Sequence, residues 1–387
     1  MNKYFNLLKV LRKVKNDKLV FCTLEYYDYG SAENYNDLLY AIYAAGAEND
    51  FFAAIQNAVL RDENAFSIAC AEGVKISEFL KKAYISDLKI IFNAAHNLIN
   101  KTDFNFGTTL PVFNCASDDT LISELEDFYR KNGYGSIIGG KAFEFENGNF
   151  VPFKGTQDIT LAALKNYAEE KLLIENNVKN FLENLPFSHM LLYGDRGTGK
   201  SSTVHALLNA YASDGLRLIE LDKNELQKIK EIKQKVALLQ LKFIIFIDDL
   251  AFNADNENVN ALKSAVEGSV IYGNNVMIVA TSNRRHIVNE KFSERENSVH
   301  PADNMEEQLS LSDRFGLTVM FSSTDKAGYL SIVDQLADDR KISMSKDNLH
   351  ALAERWAILN GGRSPRRAKQ FTDFVFACQS SGREINF

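Results

Sequence analysis

Residues 194–201 read Gly194-Asp195-Arg196-Gly197-Thr198-Gly199-Lys200-Ser201. Every fixed position of the pattern G-x-x-x-x-G-K-[ST] is filled. Glycines at these places let backbone N–H groups close around phosphate oxygens. Lys200 brings a point charge to the β- and γ-phosphates, and the Ser201 hydroxyl is placed to hold Mg²⁺. The flanks agree with this reading. His189-Met190-Leu191-Leu192-Tyr193 is apolar and strand-like, while Val204, Leu207, Leu208 and Tyr211 recur at helical spacing. Strand, glycine loop and helix in that order predict a nucleotide-phosphate site formed by Gly194, Asp195, Arg196, Gly197, Thr198, Gly199, Lys200, Ser201 and Ser202.

Downstream, Phe243-Ile244-Ile245-Phe246-Ile247 is an apolar run that ends in Asp248-Asp249. Such a run predicts a buried strand in the middle of a parallel sheet. Its two carboxylates then lie at the carboxyl edge, where such sheets bind ligands. Asp248 is expected to hold Mg²⁺ through water, and Asp249 to orient or polarise the attacking water. A third strand, Val276-Met277-Ile278-Val279-Ala280, ends in Thr281-Ser282-Asn283, and Asn283 can hydrogen-bond the attacking water or the γ-phosphate. In Leu311-Ser312-Asp313-Arg314-Phe315-Gly316, Arg314 offers a planar fork for transition-state charge, or a surface ion pair. In Gly361-Gly362-Arg363-Ser364-Pro365-Arg366-Arg367, Ser364 suits an N-cap and Pro365 a first helical residue. Arg366 then falls in a first turn, where the helix dipole gives a cation nothing, so an anionic partner or simple solvent exposure accounts for it.

The rest of the chain organises around this core. Up to about residue 140, apolar residues recur at helical spacing, as in Leu38, Leu39, Ile42, Tyr43, Phe51, Phe52, Ile55, Val59 and Leu60, and this predicts a mainly helical domain. Asn100-Lys101-Thr102-Asp103 matches a guanine-reading NKxD, but it lies upstream of the phosphate loop rather than downstream, so we read it as coincidence. Ala142–Glu146 and Asn149–Phe153 alternate around Asn147-Gly148, a two-residue hairpin turn. Residues 155–325 alternate strands with helices. Residues 326–387 again read as helical. The expected domains are therefore 1–140, 141–325 and 326–387.

Taken in order, these features resemble an AAA+ ATPase: Walker A, Walker B, sensor 1, arginine finger and sensor 2. The strings Leu191–Ser202, Gly215-Leu216-Arg217-Leu218-Ile219-Glu220, Ala280-Thr281-Ser282-Asn283-Arg284-Arg285-His286, Leu309–Gly316 and Gly361-Gly362-Arg363-Ser364 narrow it. They closely resemble the bacterial DUF815 family of AAA+ proteins over about residues 150 to 378. The resemblance implies an αβα P-loop core with a parallel sheet and a C-terminal helical lid, with ATP and Mg²⁺ as ligands. It also implies assembly into a homo-oligomer, in which Arg314 acts on a neighbour's ATP while Arg366 acts from the lid on its own. Three departures stand out. AAA+ proteins commonly have Asp-Glu where this chain has Asp248-Asp249, and the shorter side chain implies slower hydrolysis. The family usually reads Asp-Asp-Leu-Ser-Phe-Glu where this chain ends in Asn253. It often has Ser-Gly-Arg at Ser364-Pro365-Arg366, a change compatible with a helix start.

Composition narrows the function classes. The 387 residues carry 44 Lys and Arg against 51 Asp and Glu, a net charge of −7, which weighs against a general nucleic-acid binder. Cys22, Cys70, Cys115 and Cys378 form no CxxC pair, which speaks against zinc and dithiol sites and fits a reducing, cytoplasmic setting. No apolar run approaches a membrane span. Leu221–Gln240 contains neither aromatic nor Gly, so the aromatic-hydrophobic-Gly pore loop of a threading unfoldase is missing. Kinase chemistry has no use for a sensor and finger series. The leading expectation is an oligomeric Mg-ATPase that remodels an unidentified partner protein. The alternatives are a nucleotide-gated binding module with little hydrolysis, or a helicase-loader-like adaptor. Arg284-Arg285-His286 is open to three readings: relaying nucleotide state, touching nucleic acid, or facing solvent. Residues 289–308 are polar and read as a loop.

Overall fold

The computed structural model describes residues 5–99, 106–153, 158–250, 252–253, 257–267, 274–283, 288–289 and 313–387. Its contacts divide into two units: one is Met1–Gly140 with Asn149–Pro152 and Leu238–Leu241, and the other is the remainder.

Among the described residues, the first unit contains the α-helices α1 (Lys18–Tyr29), α2 (Ala32–Ala45), α3 (Phe51–Leu60), α4 (Ala65–Glu72), α5 (Glu78–His96) and α6 (Asp118–Asn132). Side chains with an oxygen acceptor start most of them: Asp17, Ser31, Asn64, Ser77 and Ser117 each accept a backbone N–H of the first turn. The run from Leu38 to Leu60 is broken at Gly46, whose φ of 63° ends α2 in a left-handed cap before α3 begins. Asp87 is fully buried in α5, and its carboxylate accepts the N–H groups of Lys9 (2.8 Å), Val10 (2.7 Å) and Leu11 (3.0 Å), which ties down the segment before α1.

The second unit is built on parallel strands. These are β1 (Ala142–Glu146), β3 (Met190–Gly194), β4 (Leu216–Glu220), β5 (Lys242–Ile247), β7 (Val276–Ser282) and β9 (Leu317–Phe321), hydrogen-bonded in the order β1-β4-β5-β7-β3-β9. After β1 the chain passes through Asn147 and Gly148, both at positive φ (48° and 76°), as a two-residue turn demands, into the short strand β2 (Asn149–Pro152), which is counted with the first unit. The hairpin pattern of the sequence thus hides a second fact: β1 also pairs in parallel with β4, with Glu144 opposite Glu220. Two-residue strands β6 (Phe252–Asn253) and β8 (Val288–Asn289) pair separately.

Every residue of β5 and β7 is buried, so both faces of the sheet are covered. On one face Met190, Leu192, Leu218, Ile244, Phe246 and Val279 pack with Ile174, Val178 and Phe181 of α7 (Ala168–Leu182) and with Val204, Leu207 and Leu208 of α8 (Lys200–Tyr211). The other crossovers supply α9 (Ile229–Val236) and α10 (Glu257–Ala265), which bury Ile229, Ile232, Val236 and Leu262. This is the αβα arrangement expected from the alternating pattern. After β9 come α11 (Lys326–Asp339), α12 (Lys346–Leu359) and α13 (Pro365–Ser380), which share a hydrophobic cluster of their own around Tyr329, Ile332, Val333, Ala353, Phe371 and Val375.

His189, just before β3, is 1% exposed, and its Nδ1 accepts the Ile278 N–H at 3.0 Å. Burial pushes its pKa down to about 3 from 6.5. The native state therefore refuses a proton that the unfolded chain accepts, and stability falls as pH drops below about 6.5 towards 3. We expect a loss of about 2 kcal/mol between pH 7.5 and pH 5 from this residue. Urea melts at the two pH values check it. His189→Asn keeps an acceptor and cannot charge, so it should show a flatter dependence; parallel slopes for the two proteins would contradict this account.

Candidate nucleotide site

The loop after β3 is shaped by three glycines, each for a different reason. Gly194 (φ 129°) runs so close to β9 that a Cβ would lie 2.1 Å from the Phe321 carbonyl oxygen, and Asp195 N–H continues the pairing by donating to that oxygen at 3.2 Å. Gly197 (φ 78°) packs on the start of α13, where its carbonyl accepts the Arg366 N–H at 3.1 Å. Gly199 (φ 99°) opens α8, and, its chain neighbours aside, no atom of the described residues lies within 4 Å of where its side chain would be. Among the described residues no side chain caps the first turn of α8, so its N–H groups are left to an anion, which helix N-termini suit. Thr198 Oγ1 donates to Asp195 O at 2.8 Å and closes the loop.

Lys200 sits inside this ring. It is 7% exposed, and its Nζ donates to Gly194 O (2.8 Å), Asp195 O (2.7 Å) and Asn283 Oδ1 (3.4 Å). Burial lowers its pKa, while the carboxylates of Asp195, Asp248 and Asp249 pull the other way.

The carboxyl ends of β5 and β7 close the site from the side, as their adjacency in the sheet requires. Asp248 Oδ1 accepts from Ser201 Oγ (2.7 Å) and from Thr281 Oγ1 (2.5 Å). Asp249 has a left-handed backbone (φ 49°); its N–H donates to Thr281 Oγ1 at 2.9 Å, and its Oδ1 accepts from Asn283 Nδ2 at 2.5 Å. Asn283 thus bridges Lys200 and Asp249. Five residues taken from three separate stretches of sequence, Lys200, Ser201, Asp248, Asp249 and Asn283, form one bonded group.

Arg366 stands in the first turn of α13, which Ser364 caps by accepting the Arg367 N–H at 3.3 Å and Pro365 opens. Its backbone touches the loop at Gly197, and its charge adds to the lowering of the Lys200 pKa. Among the described residues its guanidinium has no hydrogen-bond partner, and neither does that of Arg196 on the exposed loop apex. Ser202 follows on α8, half-buried. Arg314 is not brought to the loop: its Nη1 pairs with Glu267 Oε1 at 2.7 Å on the surface. Arg284, Arg285, His286, most of the 289–308 loop, residues 309–312 and Asn100–Asp103 lie outside the described residues, and only the backbone of Asn253 is described.

Two features escaped the sequence reading. One is Thr281, which a buried strand would contain for its β-branch alone. The other is a cavity of about 450 Å³ beside Asp248, lined by Glu144, Glu146, Glu220, Asp222 and Lys223. Burial raises the Glu220 pKa, and the neighbouring charges of Asp248 and Glu144 raise it further. His205 Nε2 lies 3.6 Å from Glu220 Oε1, and burial lowers the pKa of that imidazole. The parallel pairing of β1 with β4 sets Glu144 opposite Glu220, and the pairing of β4 with β5 sets Glu220 near the Asp248 end of its neighbour.

Residues 140–379 match the family described as protein of unknown function (DUF815). No curated protein matches the sequence. Among solved structures, the chain is similar to the RuvB Holliday junction branch migration motor of Thermotoga maritima, at 14% identity over 59% of this chain and 68% of that one, with a TM-score of 0.41. It is also similar to the FIGL-1 AAA domain in complex with ADP, at 15% identity over 58% of this chain and 75% of that one, with a TM-score of 0.38.

Proposed function

The chain belongs to the DUF815 family, and from that footing we propose that it is a Mg²⁺-dependent ATPase whose nucleotide cycle changes the state of a bound partner. The observation that carries this reading is the bonded group around Lys200, in which the ends of β5 and β7 meet the phosphate loop. Ser201 Oγ and the Asp248 carboxylate are hard oxygen donors 2.7 Å apart, which suits Mg²⁺, an ion that takes few protein ligands and otherwise water and phosphate oxygens. Bound there, Mg²⁺ supplies charge neutralisation on the phosphate oxygens.

The chain's own residues do the rest. The open N–H groups of α8 and the Lys200 ammonium hold the phosphates, the ammonium exchanging its loop carbonyls for phosphate oxygens. Asp249 orients the attacking water once Asn283 exchanges its bond to Oδ1 for one to the γ-phosphate. Arg366 reaches its own nucleotide from residues 326–387, which act as a lid. Arg314 leaves Glu267 and completes the site of a neighbouring copy in a homo-oligomer.

A second reading is favoured by one contact. Asp249, one methylene shorter than the usual Glu, has its Oδ1 already occupied by Asn283. That suits a nucleotide-gated binding module with little hydrolysis. Turnover of Mg-ATP, measured with binding of the same nucleotide on the full chain, separates the two. Measurable Mg-dependent turnover is expected. Tight binding with no turnover at high protein concentration would leave the gated module, and no binding at all would refute both.

A further inference from the structure

We infer that Thr281 is a positioning residue that sets both carboxylates of the Asp248-Asp249 pair at once. This rests on the Mg-ATPase reading above. Thr281 lies on β7, one strand across from β5, and is 2% exposed. Its hydroxyl has one proton to donate and lone pairs to accept with, and it uses both functions. The proton goes to Asp248 Oδ1 at 2.5 Å, and a lone pair receives the Asp249 N–H at 2.9 Å. The same residue's carbonyl accepts the Leu250 N–H at 2.7 Å, and Ser282 Oγ donates to Leu250 O at 2.9 Å. Three consecutive residues after β5 are thereby stitched to β7.

The geometry has two consequences. Asp248 Oδ1 accepts two hydroxyls, from Ser201 and from Thr281, which hold the carboxylate, and among the described residues Oδ2 has no bond and can take a cation or its water. Asp249 holds a left-handed backbone, which a residue with a Cβ adopts at a cost unless its surroundings over-determine it. The Thr281 hydroxyl is the partner of its N–H, so it helps to hold the turn that aims the Asp249 side chain at Asn283. Thr281 reaches neither nucleotide nor water in this scheme. It acts through the two carboxylates.

Thr281→Val keeps the shape and removes the hydroxyl, Thr281→Ser keeps the hydroxyl and removes a methyl, and Thr281→Ala serves if the Val variant fails to fold. Melting curves of all three on the full chain establish folding. The readout independent of turnover is the Mg²⁺ midpoint for binding a fluorescent non-hydrolysable ATP analogue. In Thr281→Val it should rise about tenfold, with turnover down about 10- to 100-fold, the range for residues that orient metal ligands. The KM for Mg-ATP at saturating Mg²⁺ should move far less than kcat, and Thr281→Ser should recover most of both losses. A Thr281→Val protein with the wild-type Mg²⁺ midpoint and kcat would overturn the inference alone. Equal losses in Thr281→Ser and Thr281→Val would overturn it too, by assigning the effect to packing. A wild-type chain that binds the analogue with no Mg²⁺ dependence would overturn the ATPase reading and this inference with it.

Discussion

Lys200→Ala is expected to weaken Mg-ATP binding by about two orders of magnitude, roughly 3 kcal/mol, and to remove turnover. The size follows from what the ammonium does. It is the buried cation of the loop, already desolvated and pointed inward by Gly194 O and Asp195 O. Phosphate oxygens would replace those two carbonyls as partners, and hydrogen bonds to a charged group in such surroundings are worth about 1.5–3 kcal/mol each. The variant also loses the link from Lys200 to Asn283, and through Asn283 to Asp249. Equilibrium binding of Mg-ATP and steady-state turnover measure the two effects, with a melting curve to show that the loop carbonyls, left to water, have not cost the fold. A variant that binds and turns over like the wild type would remove the phosphate loop from the function altogether.

Arg314→Ala is expected to cut turnover about a thousandfold while leaving nucleotide binding and the melting temperature nearly unchanged. The structural contact of Arg314 is an ion pair with Glu267 in which both side chains are substantially exposed. Such pairs contribute about 0–1 kcal/mol, so breaking this one harms the fold little and holds Arg314 in place only weakly. A large loss of rate without a loss of stability would therefore come from the chemistry. Because Arg314 is not at its own chain's phosphate loop, the specific activity of the wild type should also rise with protein concentration as copies assemble. Flat specific activity, together with an Arg314→Ala protein of full rate, would sink the proposal that the site is completed by a second copy. Specific activity that rises with concentration while the variant keeps full rate would assign the interface a different residue.

How much of this was legible beforehand differs from residue to residue. The strand, glycine loop and helix at residues 190–211 were legible, because their requirements are local. Glycines at fixed offsets, a strand before and a helix after are properties of one stretch, and Gly194 and Gly199 take up positive φ where the pattern put them, as does Gly197 between them. Asp248, Asp249 and Asn283 were nearly as legible: each ends an apolar run long enough to be a central strand, and strand ends of a parallel sheet share one edge. The N-cap at Ser364 and the helix that follows were read from three adjacent residues.

What the sequence determined by itself, then, is the set of elements and the edge on which their polar ends gather, because hydrophobic period, caps and glycine placement act within a few residues. The tertiary structure alone decided which of those ends touch. Thr281 meets Asp248 and Asp249 because β5 and β7 are neighbours in the sheet. Glu144 stands opposite Glu220 because the first strand of a hairpin also joins β4 in parallel. Arg314 faces Glu267, and Arg366 seats its N–H on Gly197, because of where whole helices end. Each of these is a contact across a long sequence separation. Its existence depends on strand order and on ångström-scale register, and no local preference of the residues involved carries that information.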